Sequence, residues 1–189
     1  MPSNANTNFL EAVLADASEI VDAHLKLRTG RAGRQYGLGA LNRAVVVMCI
    51  SAWEAYVEEI VKEVVEKLRP TTGTSTGTWA SWKASIYSQV GRFNNPTTQH
   101  TKELIRDATG LSDITSCWVW QHTMPADAVR RLDEAIRFRH EVAHGTAPRP
   151  TIHNAYAAQL PELFRKLGSK TDLAVSAHLQ TSYSVSTGW

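Results

Sequence analysis

Apolar residues recur at three- and four-residue steps through most of the chain and almost nowhere in alternation, so the pattern predicts helices and no sheet. In the first predicted helix, residues 8–28, one face carries Phe9, Val13, Ala17, Ile20, Ala23/His24 and Leu27, with Glu11, Asp16, Glu19 and Asp22 between them. Residues 40–68 form the longest predicted helix. Leu41, Val45, Met48, Cys49, Ala52, Trp53, Tyr56, Val57, Ile60, Val64 and Leu68 make a broad apolar stripe, and Glu58, Glu59, Lys62, Glu63, Glu66 and Lys67 form the solvated side. At ~1.5 Å per residue this helix runs roughly 43 Å, the expected spine of a bundle, and Pro70 follows its end.

A third helix is predicted over 79–92, with Trp79, Trp82, Ile86 and Val90 on one face, until Asn94, Asn95 and Pro96 break it. A shorter one, 98–109, closes at Gly110 as its C-cap. Residues 111–124 read as irregular. Pro125 opens a helix over 126–144 that Gly145, Pro148 and Pro150 terminate. A last helix, 151–167, carries Ile152, Tyr156, Leu160, Leu163 and Leu167, and a further turn or two is expected over 172–180. The expected architecture is all-α: an up-and-down helical bundle with short accessory helices, one domain over residues 1–189. TTGTSTGT at 71–78 has no apolar residue and reads as a flexible linker, and residues 181–189 as a polar tail.

Composition narrows the class further. A chain of 189 residues with 43% hydrophobic and 20% charged residues is ordinary for a globular domain, which excludes intrinsic disorder. No run approaches the ~18 consecutive apolar residues of a membrane helix. The stretch MPSNANTNFLEAV lacks the basic start and apolar middle of a signal peptide, so no membrane association and a cytoplasmic location are expected. Cys49 and Cys117 stand in apolar surroundings and read as thiols, not a disulfide. A net charge of +2 neither demands nor excludes a nucleic-acid partner, so the electrostatic case is local. Gly37 and Gly39 imitate a phosphate loop, but no strand precedes them and no GxxxxGK[ST] follows, which leaves a loop between helices.

The chemistry concentrates in RFRHEVAHG, Arg137 to Gly145. One reading is helix capping: basic residues in the last turn complement the macrodipole, and glycine follows the end. A second is a metal site, because His140-Glu141-Val142-Ala143-His144 matches the HExxH pattern of a zinc hydrolase, with a distant third ligand such as His153 or Glu162. Ala147 and Pro150 stand where the longer zinc-protease pattern has glycine and histidine, and such a helix ordinarily lies beneath a sheet that is not expected here. A third pairs Arg139 with His144 as R-x4-H. At about 100° per residue, Val129, Leu132, Ile136, Arg139, His140 and Ala143 fall within one arc, which places Arg139 on the bundle-facing stripe. A guanidinium there needs an acidic or phosphate partner; Glu54 and Glu58 of the long helix are the intramolecular candidates. His144 lies about 140° around from Arg139 on an ideal helix, which points to a loosened helix end or a site shared between two chains.

With R-H-x-x-x-H-G at a helix end and AWEAYVEEI (residues 52–60) on the spine, the sequence resembles the HEPN superfamily. The resemblance is closest to its ribonuclease-L/PSP-linked branch and covers roughly residues 9–180. It implies a dimeric, metal-independent endoribonuclease acting on single-stranded RNA, without a cofactor, in a prokaryotic toxin or antiphage setting with an antitoxin or defence-system partner protein. Arg139 and His144 would be its catalytic pair, with His140 as the supporting polar residue; Glu54, the candidate partner of Arg139, is counted as supporting on the helix geometry. The competing reading within the same fold is a non-catalytic module that binds RNA or nucleotide, or dimerises. Trp53, Trp79, Trp82, Trp118 and Trp120 are candidates for base stacking as well as for core packing. Arg31, Arg34, Arg130, Arg131 and Arg137 are candidates for an RNA track, though Asp127, Asp133, Glu134 and Glu141 interleave several of them as on a solvated face.

Overall fold

A computed structural model describes residues 1–28, 37–70, 75–146 and 151–189. The candidate track residues Arg31 and Arg34, linker residues 71–74, and Pro148 and Pro150 lie outside the described residues. A π-helical segment, Ala5–Glu11, runs directly into α1 (Ala12–Leu27). There follow α2 (Gly39–Lys67), α3 (Ser75–Val90), α4 (Thr98–Thr109), a 3-10 turn (Ile114–Cys117) and α5 (Pro125–Ala143). The single turn α6 (Asn154–Ala157) and α7 (Leu160–Tyr183) complete the chain. Among the described residues there is no strand, only an isolated bridge between Trp120 and Thr123. The fold is an all-α bundle, and none of its described helices is long and apolar enough to cross a membrane.

The apolar stripe of α2 explains its place. Thirteen of its residues are buried, from Asn42 to Val65, and the helix packs against α1, the π-helical segment and α3 through α7. At its middle, Trp53 is wholly buried with its ring 5.3 Å from Tyr56, 5.9 Å from Trp118 and 6.0 Å from Phe164. Trp118 donates from Nε1 to Thr171 Oγ1 at 3.0 Å, which ties the 3-10 turn to α7. Trp53 and Trp118 therefore form core and present no face to a base. Burial pushes the Cys49 thiol up to about 12, so it stays a neutral core group.

Three elements differ from the periodicity's expectation. The first helix begins earlier, in the π-helical segment, because Ala5 and Leu10 are buried against α2 and α7. Helix α3 begins at Ser75, inside the stretch read as linker. The expected break after residue 167 is absent: α7 runs unbroken through Gly168 for 24 residues, and the earlier start at 151 shrinks to α6. Gly168 is there for closeness, since a Cβ on it would meet Leu10 Cδ2 at 2.3 Å. Glycine lets the N-terminal segment lie against α7.

That contact is sealed by a buried carboxylate. Asp172, 4% exposed, accepts the Ser3 N–H at 2.9 Å and the Ser3 hydroxyl at 2.8 Å. The Tyr56 hydroxyl lies 2.8 Å from Asp172 Oδ1 and 3.0 Å from the Gly168 carbonyl. Burial pushes the Asp172 carboxyl above its ordinary range, and the Ser3 and Tyr56 donors pull it part of the way back. A group raised in this way favours the fold most when protonated, and that contribution fades as pH rises through its folded value. Tyr56→Phe removes a donor to the charged form, so its cost should be greatest near neutral pH and shrink toward pH ~4. We expect about 1.5–3 kcal/mol at neutral pH, a fall in Tm of roughly 3–10 °C. Thermal melts across that pH range check it; a pH-independent loss would contradict the assignment.

Candidate active site

Helix α5 starts where proline is tolerated, with Pro125 in its first turn, and buries Ala128, Leu132, Ala135, Ile136 and Phe138. Its end is a paired glycine cap. Gly145 takes φ 69°, its N–H donates to the Val142 carbonyl at 3.2 Å, and the Thr146 N–H donates to the Glu141 carbonyl at 2.9 Å. The cap holds the backbone near helical up to His144, whose φ and ψ are −89° and 10° and whose N–H reaches the His140 carbonyl at 3.0 Å. His140 and His144 consequently stand one turn apart, both exposed, with ring centres 4.2 Å apart. The capping reading of this segment thus describes its backbone and leaves the His140 and His144 rings exposed.

Arg139 points the other way, onto the spine. Its Nη2 lies 3.6 Å from Glu54 Oε2, the two side chains being 27% and 22% exposed. Of the two carboxylates offered by the sequence, Glu54 is therefore the partner, while Glu58 lies 4.0 Å from Lys62. Burial pushes the Glu54 carboxyl up, Arg139 pulls it down, and Glu58 adds a smaller upward push. The structure thus forms two couples at the end of α5, Arg139 with Glu54 and His140 with His144. It does not join Arg139 to His144 by a hydrogen bond or ring contact among the described residues.

The flanking cations are largely spoken for. Arg137 meets Glu141 at 2.7 Å and lies over the Phe138 ring at 4.4 Å, and Arg130 lies 3.6 Å from Asp127. No group of three or more His, Cys, Asp or Glu residues among the described residues could hold a metal ion. Glu162, one conceivable third ligand for HExxH, is instead paired with Lys166 at 3.4 Å, and His153 stands at the N-cap of α6. A feature the sequence did not signal is a cleft of about 430 Å³ lined by Trp120, Gln121, Arg131, Leu163 and Lys166. Its lining comes from the segment after the 3-10 turn, α5 and α7, and no local pattern spans all three.

The family model described as RiboL-PSP-HEPN matches residues 12–165, which takes in α1 through the first turns of α7 and the whole Arg139–His144 segment. No curated protein and no solved structure matches the chain.

The Arg139–Glu54 pair yields a measurable quantity. Exposed ion pairs are worth ~0–1 kcal/mol, and this one is three-quarters covered. A double-mutant cycle with Arg139→Ala and Glu54→Ala in urea should give a coupling of about 1 kcal/mol. Strict additivity would mean that another group holds the guanidinium.

Proposed function

The chain belongs to the RiboL-PSP-HEPN family, and from that premise we propose that it is a metal-independent endoribonuclease of single-stranded RNA, working at the end of α5. The observation that carries this reading is the pairing of a guanidinium held at the spine with two exposed imidazoles beyond it on one capped helix end. Metal-free RNA cleavage needs little else. The 2′-oxygen attacks the adjacent phosphorus as a base accepts its proton, the bond to the 5′-oxygen breaks, and an acid protonates that leaving oxygen. The products are a 2′,3′-cyclic phosphate and a 5′-OH. His144 is assigned the proton transfer, which contributes about 10²- to 10⁴-fold, with His140 in support. Arg139 is assigned the phosphate and its developing charge, Glu54 holding the guanidinium in place until a phosphate replaces it. A toxin or antiphage setting with a partner protein belongs to the same proposal.

The Arg139–Glu54 pair also favours a second reading, a non-catalytic RNA-binding module, because a guanidinium already neutralised within the chain can serve structure alone. Cleavage separates the two. Single-stranded RNA incubated with the protein should be cut with the stated end groups. His144→Ala should lower the rate by at least ~10²-fold with helical circular dichroism unchanged, and activity should survive EDTA. RNA bound but left intact by the wild type would establish the binder.

We further propose a two-fold dimer whose sites draw Arg139 from one protomer and His144 from its partner, since the two residues of one chain form separate couples. Refolding Arg139→Ala and His144→Ala chains together then makes half the dimers mixed, each with one intact site of two. Roughly a quarter of wild-type activity should return. No recovery, with mixed dimers confirmed by mass spectrometry, would exclude the shared site.

A further inference from the structure

We propose that the His140–His144 pair is a divalent transition-metal site of two protein ligands, taking Zn²⁺, and that its occupation switches off RNA cleavage. The binding half of this inference stands on the geometry alone, and the inhibition half rests on the ribonuclease reading above.

The pair has what a bidentate chelate needs. Both rings are exposed, they stand one helical turn apart, and their centres are 4.2 Å from each other with planes inclined by 55°. A tetrahedral zinc ion about 2.1 Å from one nitrogen of each ring sets ring centres at roughly 5 Å. Opening the pair by about 1 Å requires a small turn of either exposed side chain, with no backbone movement. The backbone is meanwhile held by the glycine cap, so the one-turn separation of the two residues exists before the metal arrives and only the side chains adjust. Arg137 lies against Glu141 and Arg139 against Glu54, so the adjacent guanidiniums have carboxylates beside them. The negative end of the α5 dipole adds a favourable field for a cation.

The ligand set also fixes the consequence. Imidazole binds zinc through its neutral nitrogen lone pair, the same lone pair that accepts a proton from a 2′-OH. A ring bound to zinc can neither accept nor donate at that nitrogen. Two protein ligands leave the remaining positions to water, so the ion binds reversibly and without the tightness of a closed four-ligand site. The same HExxH spacing that imitates a catalytic zinc site therefore supplies an inhibitory one, since no third protein ligand joins it among the described residues.

Untagged full-length protein titrated with zinc chloride by calorimetry should show one saturable site per chain. His140→Ala and His144→Ala should each weaken it by about tenfold or more, while His122→Ala, an exposed histidine elsewhere, leaves it unchanged. In parallel, micromolar zinc should suppress RNA cleavage by the wild type, and EDTA should restore it. Binding that ignores both substitutions, or no binding, overturns the site. Zinc that binds through both histidines but stimulates hydrolysis overturns the inhibition and establishes a zinc hydrolase. Should the wild type cut no RNA with or without metal, the ribonuclease reading and the inhibition fall together, and the calorimetry still decides the site.

Discussion

The burial of the broad apolar face of α2, against which nearly every other element packs, is the constraint on which the rest of the fold depends. The polar residues of this helix are confined to the ends and to the opposite side, where Arg43, Ser51, Glu54, Glu58, Glu59 and Lys62 lie. A polar group that meets the buried face is costly without a partner, and although Trp53 Nε1 has none among the described residues, two others are matched. Tyr56 has Asp172 and Gly168; Arg139 has Glu54. The first arrangement closes the core, and the second carries a cation from α5 to the margin of the buried helix. One rule about desolvation accounts for both.

Function and stability meet at the same helix end. A glycine cap normally serves only to satisfy orphan carbonyls. Here it also sets the pitch between His140 and His144, because the backbone keeps its helical course until the residue before Gly145. The exposed imidazoles owe their mutual distance to backbone hydrogen bonds and not to packing of the side chains. The guanidinium is held in the opposite manner, by burial and an ion pair.

Much of this was legible in the sequence where the signal is local. The extent of α2, the Gly110 cap of α4 and the Pro125 start of α5 follow from stripes and caps that lie within a few residues of each other. Placement of Arg139 on the bundle-facing stripe required an acidic partner, and Glu54 is one of the two that the long helix offered. What escaped was decided by distant chain segments. Gly168 looks like a helix breaker until Leu10 is seen against it, and the threonine-rich stretch hides the first turn of α3, whose Trp79 reaches the Val65 carbonyl. Likewise the cleft beside Trp120 is assembled from three elements that no periodicity connects.

The contact between Ser3 and Asp172 spans 169 positions of the chain. A ribosome adding ~5–20 residues per second needs roughly ten to thirty seconds to travel that distance. Throughout that interval Leu10 and Ala5 have no α7 to lie against, and the spine keeps one flank open to water. The nascent polypeptide therefore cannot complete its core in the order in which it is made. The segment from Ser3 to Leu10 settles only once α7 has been made.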